Sequence, residues 1–181
     1  RVAAKCGADV IDIVDGMRCA AGLQVCRRSD GVGSCLEFAP INPNPARVLN
    51  LSLGGDGGCT AAYRDAVAEI NAVGAVVVAA AGNSTGHAVG TPANCPGFIA
   101  VAGLRHVGTK VGFSDLGPEI AISAPAGNCV DIEADDPCRY PILTTSNSGV
   151  TSPVADAAGA AIYTDSFNAS VGTSFASPLV A

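Results

Sequence analysis

Residues 75–81 read Ala-Val-Val-Val-Ala-Ala-Ala, an apolar run with no polar residue to alternate with. A strand that faced water on one side would alternate, so this one is expected to be covered on both faces, as in a parallel sheet flanked by helices. What precedes it agrees. Residues 48–53 form a second compact apolar run, and Gly54-Gly55-Asp56-Gly57-Gly58 turns the chain before a helical pattern that starts near Thr60. That pattern puts Ala62, Tyr63, Ala66, Val67, Ile70 and Val73 on one side, with Arg64, Asp65 and Glu69 on the other, and Gly74 is its stop. The unit is β-α-β.

Further strands are expected at 98–102, 110–113, 120–123 and 160–163, and an amphipathic helix over 9–23 built on Val10, Ile13, Val14, Met17 and Ala20 or Ala21. Residues 24–46 and 128–156 are rich in turn formers and read as a surface loop and a long excursion. Alternating strands and helices with short glycine turns imply an α/β fold, a doubly wound and mostly parallel sheet in three layers. A chain of 181 residues, 49% apolar and 14% charged, has the makings of one such core. Its net charge of -6, with no basic cluster longer than Arg27-Arg28, argues against a nucleic-acid partner. No apolar run approaches the roughly 18 residues of a membrane span, so no membrane partner is expected.

Eight cysteines without a Cys-x-x-Cys pair favour disulfides over zinc and point to a secreted protein. Cys26 with Cys35 and Cys129 with Cys138 are spaced to close small loops. Cys59 and Cys95 flank the helix-strand unit, and Cys6 and Cys19 are left over. Closing the loop between Cys59 and Cys95 is worth about 4 kcal/mol on a chain-entropy model.

Two sites carry chemistry. In Gly172-Thr173-Ser174-Phe175-Ala176-Ser177-Pro178, a glycine turn leads into a helix, and Pro178 is expected in its first turn. Ser174 would then stand at the positive end of the helix dipole beside unpaired N–H groups, as a nucleophile or simply as a helix cap. In Ala80-Ala81-Gly82-Asn83 a buried strand ends on an amide, which suits an oxyanion donor or a left-handed turn residue.

Taken together and in order, Asn50-Leu51-Ser52-Leu53-Gly54, Ala80-Ala81-Gly82-Asn83, Thr91-Pro92-Ala93-Asn94-Cys95-Pro96 and Gly172-Thr173-Ser174 resemble the subtilases, the subtilisin-like serine peptidases of family S8. The likeness is to the disulfide-bearing secreted bacterial branch and runs over nearly the whole chain. It implies Ser174 as nucleophile and Asn83 as oxyanion donor. It also implies that Ser52, Leu53 and Gly54 are a strand edge that pairs with an extended protein or peptide substrate. Ala80, Ala81 and Gly82, with Ala93 opposite, would line the pocket for the side chain before the scissile bond. Small residues there would admit a bulky apolar or aromatic side chain. No cofactor is implied as required, calcium is a family expectation without a nameable ligand set, and a propeptide is a possible partner.

The family's aspartate and histidine are not matched. His87 and His106 are the two histidines, and neither has His-Gly-Thr-His surroundings. Asp12 and Asp15 near Gly16 look superficially like a strand-Asp-x-Gly signature, but the helical spacing of their neighbours makes them, with Asp9, a solvated helix face. The expectation is therefore a partial catalytic domain over 1–181, incomplete at both ends, its acid and base in a missing N-terminal part and any targeting signal upstream. Alone it should be inactive. A pseudoprotease that keeps the peptide-binding strand is the alternative, whereas an α/β-hydrolase esterase would want Gly-x-Ser-x-Gly and a histidine after the serine. Of the sequons at Asn50, Asn83 and Asn168, only the last is sterically open to a glycan.

Overall fold

The computed structural model describes residues 7–128, 141–149, 152–155, 157, 159, 161–164 and 171–181. Its centre is a parallel sheet of β3 (Val48–Leu51), β4 (Val76–Ala80), β5 (Phe98–Leu104) and β6 (Ile120–Pro125), hydrogen-bonded in that order. Val77, Ala79 and Ala81 pack with Leu49, Ala100 and Ala102 in one apolar cluster, while Val78 joins Val101, Val111 and Ala176 in another. Alternate residues of β4 thus serve two cores, which is why the run has no polar position.

The first core is closed by α1 (Val10–Ala20) and α2 (Ala61–Ala72), the second by α3 (Thr173–Val180), giving helix, sheet and helix layers. The four strands follow in chain order. Helices on both faces are as expected, and the reversal of strand order that a doubly wound sheet contains does not fall among the described residues.

Each helix starts where its cap allows. The Asp9 carboxylate accepts from the Ile11 N–H at 2.9 Å, and the Thr60 hydroxyl from the Tyr63 N–H at 3.4 Å. Ile13, Val14 and Met17 are buried, as are Tyr63, Ala66, Val67 and Ile70. Ala62 and Val73, assigned by spacing to the same face, are exposed instead. They lie at the edges of the stripe, beyond the width that the sheet covers. The Arg18 guanidinium grips Glu69 in two hydrogen bonds of 2.7 and 2.9 Å, tying α1 to α2. Asp9 and Asp12 are solvated as expected, but Asp15 is half-buried. Burial raises its carboxyl pKa, Arg18 opposes that, and Asp12 adds to it.

Three sequence expectations are corrected. Residues 24–46 hold an antiparallel hairpin of β1 (Cys26–Ser29) and β2 (Cys35–Phe38). Residues 110–113 are no strand: after a single bridge from Leu104 to Lys110 the chain turns, because the Lys110 ammonium gathers the carbonyls of Val111, Gly112 and Ser114 at 2.9, 2.9 and 3.1 Å. The late excursion contains β7 (Thr144–Asn147), paired antiparallel with β8 (Ala161–Thr164). The disulfides Cys26–Cys35 and Cys59–Cys95 are formed, and Cys19 is an exposed free thiol. Cys6, Cys129, Cys138 and Asn168 lie outside the described residues.

Candidate active site

The carboxyl end of β4 leads through Gly82 to Asn83. Gly82 sits at φ 116°, and a side chain there would strike the carboxylate of Asp115, so the turn is open to glycine alone. Opposite it, Gly172 at φ 143° starts α3. Thr173, with no exposed surface, joins the two turns. Its hydroxyl accepts from the Gly82 N–H at 3.2 Å and lies 3.0 Å from Asn83 Oδ1, which also accepts from the Thr173 N–H at 2.9 Å. A backbone N–H can only donate, so the amide oxygen must face Thr173 and the amide NH2 is left to donate elsewhere. Asn83 is not at positive φ; Thr85 is, at 63°. The bland reading of Asn83 as a left-handed turn residue therefore does not describe it.

Nor is Ser174 a cap. Gly172 is the cap residue of α3, without a side-chain bond. Ser174 lies one residue inside the helix, partly exposed, and its hydroxyl is 3.5 Å from the Ser52 carbonyl, a weak contact. Helices leave their first N–H groups without intrahelical partners. Of these, Thr173 donates to Asn83 and Phe175 to the Gly172 carbonyl, while no bond from the Ser174 N–H is found among the described residues. Pro178 lies inside α3 rather than in its first turn, because the helix starts at Thr173.

A cavity of about 320 Å³ opens in front of this pair. Ser174 and Asn83 line it, with Ser52, Leu53 and Gly54 on one side and Ala80, Ala81 and Gly82 on another. Residues 52–54 continue beyond β3, which among the described residues pairs in the sheet with β4 alone. Ala93 is buried and is not on the cavity surface; Gly90 and Thr91 stand there instead. Thr91 and Gly55 exchange hydrogen bonds of 3.0 and 2.9 Å, and a side chain on Gly90 would strike the Gly55 carbonyl, so the rim is backbone against backbone.

Two contributors were not singled out by sequence reasoning. One is the tether made by the Thr173 hydroxyl. The other is Asp115, buried against the cavity, whose Oδ1 accepts from the Ser84 and His87 N–H groups at 2.9 and 3.2 Å and so shapes the loop after Asn83. A Ser-Asp pair in a turn carries no sequence signal of that kind.

His87 and His106 do not line the cavity. Among the described residues no group of three or more His, Cys, Asp or Glu is placed to hold a metal. The described residues thus do not define a calcium site. Asn50 spends its amide on Ser52 and Ser177.

The subtilase family model matches residues 4–181. An extracellular protease of Xanthomonas campestris is 39% identical over 182 residues, covering all of this chain and 26% of that protein. An extracellular basic protease of Dichelobacter nodosus is 34% identical over 181 residues, covering 99% and 24%. A solved protease structure from Pseudoalteromonas arctica superposes with a TM-score of 0.79 at 34% identity, over all of this chain and 47% of that one. The chain spans about a quarter of the length of these curated relatives. With the three-layer sheet, the strand-end amide and the helix-borne serine already in place, these matches establish that the chain belongs to the subtilase family of peptidases.

Proposed function

We propose that this chain carries the nucleophile and oxyanion side of a secreted serine endopeptidase. One observation supports this above all: Asn83 is held through its oxygen by Thr173, and among the described residues neither its NH2 group nor the adjacent Ser174 N–H has a partner, on the cavity that Ser174 and Asn83 line. The two donors would hold the oxygen of a peptide carbonyl as Ser174 Oγ bonds to its carbon. The hydroxyl proton goes to a base, the tetrahedral adduct collapses, the amine leaves with a proton, and water then cleaves the serine ester. In subtilisin the loss of the corresponding amide costs about 10² to 10³ in turnover, a figure that belongs to subtilisin rather than to this chain.

The base and its supporting aspartate are proposed to lie outside these 181 residues, which form part of a catalytic domain. The edge at Ser52, Leu53 and Gly54 would take an extended protein or peptide substrate by strand addition, and a propeptide would fit the same edge. Ala80, Ala81 and Gly82 leave room for a bulky apolar side chain, and equal cleavage after glycine and phenylalanine in a peptide series would refute that preference. Secretion is supported by relatives named as extracellular and by the two disulfides. Among the described residues no helix is long and apolar enough to cross a membrane. The relatives that match are named as proteases, which favours the enzyme over a pseudoprotease.

The test is fluorophosphonate labelling of the native protein with mapping of the adduct. One adduct on Ser174, lost in Ser174→Ala, is the expected result. An unlabelled protein of full length would point to the pseudoprotease.

A further inference from the structure

Pro178 has no N–H, so the carbonyl four residues before it, that of Ser174, has no helical donor. The Ser52 hydroxyl fills the place, donating to the Ser174 carbonyl at 2.6 Å. Ser52 Oγ in turn accepts from Asn50 Nδ2 at 2.9 Å, and Asn50 Oδ1 accepts from the Ser177 hydroxyl at 2.6 Å. Ser177 has no exposed surface.

The directions in this chain are forced. A carbonyl only accepts, so Ser52 commits its single proton to Ser174 and its oxygen becomes the acceptor for the Asn50 amide. With the NH2 group of Asn50 so placed, its oxygen faces Ser177, which must donate. The path leaves α3 at Ser177, crosses the end of β3 and returns to α3 at Ser174. It therefore brackets the first turn of the helix from the strand edge.

We propose that Ser52 and Asn50 are positioning residues for the reaction, a bracket made necessary by Pro178 that fixes Ser174 relative to the strand edge on which a substrate would pair. This rests on Ser174 being the nucleophile. Rate depends steeply on the approach of nucleophile to carbonyl, so an error well under 1 Å is felt in turnover. A paired substrate would cover Ser52, so water would not replace the missing proton donor during the reaction. The backbone of Ser52 is unaltered by truncating its side chain, so binding would be spared.

The experiment measures kcat and KM of the native protein and of Ser52→Ala, Ser52→Thr, Pro178→Ala and Ser52→Ala/Pro178→Ala on a fluorogenic peptide. Rates are taken per serine titrated with fluorophosphonate, so that any unfolded fraction drops out. Ser52→Ala is expected to lower kcat about tenfold with KM nearly unchanged, the size expected for one orphaned carbonyl. Ser52→Thr, which keeps the hydroxyl, is expected to retain most of the rate. In the Pro178→Ala background an N–H at 178 can reach the Ser174 carbonyl, and the loss from Ser52→Ala is expected to shrink to under about threefold. An equal loss in both backgrounds, or a loss confined to KM, would overturn the bracket. Fluorophosphonate uptake persisting in Ser174→Ala would instead remove the nucleophile reading on which it rests.

Discussion

Thr173 has no exposed surface and binds groups about ninety residues away in sequence; Val32 is 89% exposed at the tip of a hairpin whose strands pair residues no more than 12 apart in sequence. The first belongs to the seam between β4 and α3, the second to β1 and β2. Both regions are rich in turns, yet the seam is held by hydrogen bonds between distant groups, and the hairpin by the Cys26–Cys35 disulfide and local polar contacts. Bonds between distant groups make the geometry of the seam a product of the whole fold. Local bonds allow the hairpin to loosen without disturbing it.

The sharpest break in this comparison would come from Asn83→Ala, expected to lower kcat by about 10² to 10³ with little change in KM, the subtilisin figure again. A smaller loss would mean that the Ser174 N–H carries most of the oxyanion. Thr173→Val is next. It removes a buried hydroxyl that serves Gly82 and Asn83, so thermal unfolding should show a loss of about 1 to 3 kcal/mol and turnover should fall about tenfold. Removing the hairpin disulfide with Cys26→Ser/Cys35→Ser is expected to change kcat less than about twofold, while speeding amide exchange in β1 and β2. A large loss of kcat there would show the hairpin to be coupled to the site. Smaller still, Glu37→Gln should alter stability by less than about 0.5 kcal/mol, since its contacts with Arg27 and Arg28 are long and exposed.

Acid should separate the regions too. The Asp30 carboxylate accepts from the Val32 and Ser34 N–H groups at 2.8 and 3.0 Å, and these bonds lower its pKa. A carboxyl whose folded pKa is depressed adds stability above its unfolded pKa and loses it as pH falls through the folded one. Exchange at Val32 and Ser34, corrected for intrinsic acid dependence, is therefore expected to accelerate below the ordinary carboxylate range, with Thr173 still protected. Equal loss of protection at both would erase the distinction.

Much of the site was legible because its residues are punctuated locally. Gly82 and Gly172 mark two tight turns, a buried strand leads to Asn83, and a helix begins at Thr173. Helical periodicity likewise picked out Ile13, Val14, Met17, Tyr63, Ala66, Val67 and Ile70 as core. Reasoning failed where the deciding partner was distant. Periodicity could not tell how wide a stripe the sheet would cover, so Ala62 and Val73 were assigned inward. Val111 is buried as a strand residue would be, but Lys110 folds its segment into a turn. Ala93, three residues beyond Gly90, is buried behind the cavity wall rather than on it.

By itself, then, the sequence determined the three helices, the four strands of the parallel sheet, the two-sided burial of β4, the Cys26–Cys35 and Cys59–Cys95 pairs and the candidate nucleophile and amide, since each depends on composition, spacing or local turn chemistry. Tertiary structure alone decided which way the Asn83 amide faces, that Asp115 shapes the neighbouring loop, and that Ser52 reaches the carbonyl left open by Pro178. These are facts about single hydrogens and lone pairs met across 28 to 122 residues of chain, and no local pattern encodes which distant group will be there to receive them.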